Sequence, residues 1–154
     1  MKLSRRALFM VVFTIAVLSI AALAGCSSSS NAKYAIDGGE VSVDGKNLTV
    51  TLEGNPTTGY EWTADIAGSG IELGDQTYAT SSSGGTTTGA GGNYKFAFTG
   101  KSAGDSTITF TYARSWESSD DDRTVIVHVT TNDSGNITHT DTVIDGKTCG
   151  ESNA

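Results

Sequence analysis

Little in this sequence is equipped for chemistry. Two histidines and two cysteines stand among 154 residues, and they are not arranged to act together. His128 falls inside an alternating run, on its threonine side, which is a surface position rather than that of a buried base. His139 lies in a loose polar stretch near the C-terminus. No G-x-S-x-G elbow occurs, and Cys149, in a polar tail, lacks the rigid surroundings that lower a thiol's pKa. Metal-ligand spacing is absent: there is no CxxC, no HExxH and no acidic calcium loop. Asp120-Asp121-Asp122 reads as a solvated charge run. Gly89-Ala90-Gly91-Gly92 lacks the order of a phosphate-binding turn and leads into a strand, not a helix. An enzyme is therefore not expected, and neither is a cofactor or a metal.

Basic residues are scarce. Ten oppose seventeen acids, and three of the ten, Lys2, Arg5 and Arg6, stand at the very start. They precede an apolar run, Ala7 to Leu23, and then Leu23-Ala24-Gly25-Cys26. This is the layout of a secretory signal. Its end resembles the lipobox of bacterial lipoproteins, in which the cysteine becomes the lipid-bearing first residue of the mature chain. The rival reading is an uncleaved anchor, but the run falls slightly short of the ~20 residues a spanning helix needs. Cleavage gives a leader over 1–25, then lipidated Cys26 and a flexible Ser-rich tether to residue 32. Acyl chains on Cys26 would hold the protein to the membrane of a prokaryotic cell envelope, outside the cytoplasm. Ser4-Arg5-Arg6-Ala7-Leu8 partly resembles a twin-arginine signal, so the export route stays open between that and the general one. Without its leader the chain keeps seven basic residues against seventeen acids, a net charge of −10. Such a chain has no electrostatic footprint for nucleic acid. With Cys26 lipidated, Cys149 has no partner in the chain. It is either a link to another chain or an incidental thiol, and a monomer is expected.

Helical periodicity is also missing after residue 25. The period is two. Val41 and Val43 alternate, as do Leu48, Val50 and Leu52 against Asn47, Thr49, Thr51 and Glu53. Further runs follow at Tyr60–Ile66, Tyr94–Phe98, Ile108–Tyr112 and Val125–Val129, with a weaker one over Ile71–Thr80. Their β-branched and aromatic content marks half-buried strands. Nineteen glycines supply turns such as Asp44-Gly45 and Gly68-Ser69-Gly70. The pattern predicts an all-β domain over 33–131, an immunoglobulin-like β-sandwich of six to eight strands. Residues 132–154 form a C-terminal extension, either an edge hairpin or disordered.

The one proline in the chain marks the stretch around which the rest is organised: Gly54-Asn55-Pro56-Thr57-Thr58-Gly59-Tyr60. Pro56 fixes its own φ and pushes Asn55 towards extended backbone. Two glycines flank small threonines whose hydroxyls can bond locally. This is a shaped loop. The strands may be lettered B (47–53), C (60–66), D (71–79), E (93–99), F (106–112) and G (123–130). In an immunoglobulin-like sandwich the B–C, D–E and F–G connections then emerge at one end. Those are the three unusual loops of the chain: 55–59, the glycine-rich 80–92, and 114–122 with its tryptophan. A tryptophan in a polar loop is either a contact residue or a cap folded back on the sandwich.

Three motifs in this order, Asn55-Pro56-Thr57-Thr58-Gly59-Tyr60, Gly89-Ala90-Gly91-Gly92 and Arg114-Ser115-Trp116, resemble the chagasin family of cysteine-peptidase inhibitors over roughly residues 40–131. The third motif departs from the family's Arg-Pro-Trp, with Ser115 in place of proline. The resemblance implies reversible inhibition of papain-like cysteine peptidases. The three loops would dock as a tripod, Thr57, Thr58 and Gly59 covering the nucleophile without offering a scissile bond. The Gly89–Gly92 loop would lie along the substrate groove, Trp116 would pack on apolar enzyme surface, and Arg114 would make polar contacts or brace its loop. Tyr60 or Trp62 would belong to the core. The rival reading is a non-inhibitory immunoglobulin-like binding module on a cell-envelope lipoprotein.

Overall fold

A computed structural model describes residues 31–81 and 91–153 of the chain, with side-chain surroundings for 32–81 and 91–146. It contains ten strands: β1 (Asn31–Ile36), β2 (Gly39–Asp44), β3 (Asn47–Gly54), β4 (Glu61–Gly68), β5 (Ile71–Thr80), β6 (Gly92–Gly100), β7 (Gly104–Ala113), β8 (Arg123–Thr131), β9 (Ile137–Ile144) and β10 (Lys147–Asn153). One short 3₁₀ turn, Pro56–Thr58, joins β3 to β4. The predicted strands B to G are β3 to β8, each within two residues of its expected limits.

The strands form two five-stranded antiparallel sheets, ordered β1-β2-β3-β6-β5 and β10-β9-β8-β7-β4. Strands β2-β3-β6-β5 and β8-β7-β4 reproduce the A-B-E-D and G-F-C order of an immunoglobulin sandwich, so the expected fold class holds. The count rises from six to eight strands to ten, because β1 lengthens one sheet while β9 and β10 lengthen the other.

Period-two alternation explains which side of each strand is dry. On β3, Leu48, Val50 and Leu52 are fully buried while Thr49 and Thr51 are half-exposed. Val125, Val127 and Val129 do the same on β8. The sheets are joined through aromatics. Phe110 of β7 meets Phe96 and Phe98 of β6 edge-on, with ring centroids 5.0 and 5.9 Å apart. Edge-to-face pairs of this kind add to the stabilisation from area burial.

The weak run over 71–80 is an edge strand. Its register slips between Leu73 and Gln76, a bulge that breaks the alternation and discourages pairing with another chain. At the other flank, β9 is a core strand that alternation hides. Its inward positions are Ile137, Thr140, Thr142 and Ile144, so half of its buried residues are polar. Tyr34 of β1 reaches across to them, its hydroxyl 3.3 Å from Thr140 Oγ1 and 3.0 Å from Thr142 Oγ1. The extension therefore takes the hairpin form: β9 pairs with β8, and β10 with β9.

The two ends of the sandwich differ. At one end the turns are locked backbone to backbone: Gly100 N–H donates to Lys46 C=O at 2.8 Å, Lys101 N–H to Gly70 C=O at 2.8 Å, and Ile137 N–H to Gly45 C=O at 2.9 Å. At the other end the connections are longer and bear their own side-chain architecture. Phe110→Ala should lower stability by about 3–5 kcal/mol, read as a fall in the urea midpoint with an unchanged m-value.

Candidate functional site

Register fixes where the loops emerge. Gly54 at the end of β3 pairs with Gly92 at the start of β6, and Gly92 in turn with Thr80 at the end of β5. In the second sheet Glu61 pairs with Ala113, and Tyr112 with Arg123. All three connections, B–C, D–E and F–G, therefore leave from one end.

The B–C loop is built by its own residues. Asn55 is extended, at φ −135° and ψ 94°, as a residue before proline must be. Its Oδ1 accepts from Thr57 N–H at 3.1 Å and from Thr57 Oγ1 at 2.6 Å, capping the 3₁₀ turn. Thr58 returns to Asn55 C=O with its N–H at 3.2 Å and its hydroxyl at 2.6 Å. Gly59 closes the turn at φ +84°, where a side chain is strained. Pro56, Thr57 and Thr58 are exposed at the tip.

Beneath the tip the loop is tied to the core. Tyr112 Oη accepts from Asn55 N–H at 2.8 Å, and Trp62 Nε1 donates to Glu53 C=O at 2.9 Å. Both Tyr60 and Trp62 are buried, at 8% and 1% exposure, rather than only one of them. Their rings lie 5.1 and 4.9 Å from that of Tyr112. Tyr60 thus carries the loop from below, while Thr57 and Thr58 present it.

The F–G loop leans on the B–C loop. Arg114 Nε donates to Thr58 C=O at 3.1 Å, and its guanidinium carbon lies 4.6 Å from the centroid of the Tyr60 ring. Arg114 Nη1 pairs with the Glu117 carboxylate. That hydrogen bond holds the guanidinium above its ordinary range, against a smaller opposing effect of desolvation. Trp116 is 68% exposed, the one large apolar side chain so placed among the described residues. It does not fold back into the sandwich. One edge of its indole rests on Gly59, where an added Cβ would stand 2.6 Å from the ring. Glu117 was not among the residues singled out by motif. Its position three residues after Arg114, across a tight turn, is the signal that marks it.

The D–E glycines divide. Gly89 and Ala90 lie outside the described residues, as does Cys26. Gly91 sits at the base, its C=O accepting from Ser81 N–H at 3.1 Å. Gly92 is buried in β6, where a Cβ would collide with Ala79 C=O and stand 2.7 Å from Tyr78 Oη. Its missing side chain serves packing within the sandwich. Beside it, burial and then the charge of Glu61 push the Tyr94 phenol above its usual range. No group of three potential metal ligands occurs among the described residues, and His128 is exposed beside Thr107.

Three connections thus meet at one end of the sandwich, two of them joined by Arg114 and Trp116. Comparison with known proteins gives this arrangement a context. The family model described as chagasin family peptidase inhibitor I42 matches residues 41–129. Amoebiasin-1 of Entamoeba histolytica is 35% identical over 85 residues, which is 55% of this chain and 81% of that protein. Among solved structures, that of Amebosin in solution is 34% identical at a TM-score of 0.46, covering 56% of this chain and 80% of that one. The crystal structure of the cysteine protease inhibitor EhICP2 from Entamoeba histolytica is 24% identical at a TM-score of 0.40, covering 48% of this chain and 67% of that one.

Gly59→Ala should cost about 1–2 kcal/mol, because alanine resists the left-handed backbone. The added methyl should also dislodge Trp116, seen as a shift in its fluorescence emission.

Proposed function

From the premise that the chain belongs to the chagasin family of peptidase inhibitors, we propose that it reversibly inhibits papain-like cysteine peptidases. The B–C, D–E and F–G loops block the active-site cleft, one inhibitor to one enzyme. The observation that carries this reading is the joined pair of loops at one end: Pro56–Thr58 as a capped turn, with Trp116 against Gly59 and Arg114 bonded to Thr58 C=O.

A peptidase reads its substrate as an extended strand. The tip offers a compact 3₁₀ turn followed by a glycine at φ +84°, so Thr57, Thr58 and Gly59 fill the cleft without presenting a peptide bond in attack geometry. Trp116 supplies the exposed aromatic anchor typical of a binding hot spot. Because both loops are already fixed, less conformational entropy is lost on docking. Arg114 acts as a brace, and Gly91 with the preceding glycine-rich segment lies along the groove.

The cellular setting is part of the same proposal. Cys26, after its apolar leader, carries lipid and holds the domain on the outer face of a prokaryotic membrane. The course of β1 sets the direction that such a tether would give the domain. Asn31 pairs with Asp44, at the end of the sandwich opposite the three loops. The five residues from Cys26 to Asn31 reach at most about 17 Å, so the tethered domain would turn its loops away from the membrane.

Titrating papain with the chain from Ser27 onward should abolish activity stoichiometrically and reversibly. No inhibition at micromolar protein removes the reading. Trp116→Ala should speed dissociation by roughly thirtyfold, the effect of losing a hot-spot aromatic. In cells, Cys26→Ala should lose incorporation of a fatty-acid label and leave the membrane fraction. Retained label would place the lipid elsewhere.

A further inference from the structure

Residues Arg114-Ser115-Trp116-Glu117 form a tight turn of their own. Arg114 and Glu117 are bridged as antiparallel neighbours, with Ser115 and Trp116 at the two corners. The first corner of such a turn is where a proline stiffens the chain, by fixing φ. Ser115 provides no such constraint, so the backbone alone leaves Trp116 loosely aimed.

The flanking side chains supply what the corner lacks. The Glu117 carboxylate accepts from Arg114 Nη1. Arg114 spends its remaining reach on the neighbouring loop, through Nε to Thr58 C=O and through its planar face to Tyr60. Those two targets are anchored in different ways: Tyr60 is buried, and Thr58 belongs to the capped turn. Glu117 therefore sets the orientation of a guanidinium whose other contacts are on fixed ground. Between Arg114 and Glu117 stands Trp116, its indole edge on Gly59. Arginine suits this task because its fork makes two directed bonds while its face stacks.

We propose that Glu117 is a positioning residue of the inhibitory surface. Its carboxylate clamps Arg114 on the B–C loop, so that Trp116 and the Pro56–Thr58 turn meet a peptidase as one rigid body. The inference rests on the inhibitor reading for its consequence, though not for the clamp itself. It makes Glu117 a residue that acts through Arg114 and Trp116, without needing to touch the enzyme.

The test compares wild type, Glu117→Ala, Glu117→Gln and Glu117→Ala with Ser115→Pro, each in the chain from Ser27 onward, which retains all ten strands. Backbone ¹⁵N relaxation of the free protein should give Trp116 an order parameter near about 0.85 in wild type and below about 0.6 in Glu117→Ala. Glutamine keeps an acceptor for Arg114 Nη1 but loses the charge, so it should fall between wild type and Glu117→Ala. Proline at 115 should restore order in the double variant. Dissociation from papain should follow the same ranking, about two- to fivefold faster for Glu117→Ala, the scale of an exposed ion pair. The urea midpoint of Glu117→Ala should shift only slightly, because an exposed ion pair is all that the fold loses. The clamp is overturned if Trp116 stays ordered in Glu117→Ala, or if Glu117→Gln keeps Trp116 ordered yet dissociates as fast as Glu117→Ala, which would mark a direct charge contact with the enzyme. If wild type fails to inhibit papain, the inhibitor reading falls separately, and the order parameters alone decide whether the clamp exists.

Discussion

The loop-bearing end of the molecule hangs on one phenol. Tyr112 lies near the end of β7, with its ring against Tyr60 and Trp62 and its hydroxyl accepting from Asn55 N–H. A partly buried tyrosine needs a partner for its hydroxyl, and here the partner is the first amide of the B–C loop. The ring is held by the sandwich, so the amide is held too. Asn55 then caps the turn, the turn places Thr58 C=O, and Thr58 C=O receives Arg114. Trp62 adds a second tie through Glu53 C=O, just before the loop begins. The order of dependence runs from core to surface, beginning with ring packing and continuing through directed hydrogen bonds.

Much of this was legible in the sequence, for a physical reason. Strands β3 to β8 show themselves because one face is dry and the other wet, and period two records that directly. The B–C loop shows itself because its residue types act on their immediate neighbours: Pro56 on Asn55, Asn55 on Thr57, Gly59 on its own φ. Local causes leave local marks. What escaped depends on distant partners. Thr140 and Thr142 look like surface residues until Tyr34, more than a hundred residues earlier in the chain, satisfies their hydroxyls. Tyr60 and Trp62 both enter the core because Tyr112 is there to receive them. Glu117 gains its meaning from Arg114's contacts with another loop.

Glycine makes the same point from the other side. Gly59 and Gly92 stand in two of the motifs, and the family resemblance implies contact for both. Gly59 is needed for its positive φ and for the indole beside it. Gly92 is needed because Ala79 and Tyr78 occupy the space of its side chain. One shapes the exposed surface, and the other lets two strands and an aromatic ring close up beneath it. A motif can thus mix residues that meet a partner with residues that permit the fold.

On the proposed mode of action, rigidity also answers why a protein would survive in a peptidase's cleft. To be cut, the chain around Thr57 and Thr58 would have to straighten. That would break the Asn55 cap, both bonds from Thr58 to Asn55 C=O and the bond from Arg114 to Thr58. Each net hydrogen bond contributes only about 1 kcal/mol. Their loss is coupled, however, because Trp116 rests on the glycine that would move. Straightening would also withdraw the exposed indole from the enzyme surface it anchors. The interactions that shape the tip are therefore the ones that oppose its cleavage, and binding strengthens that opposition by holding Trp116 in place. A flexible loop with the same six residues would lack both properties. The sandwich, through Tyr112 and Tyr60, is what separates an inhibitor from a substrate here.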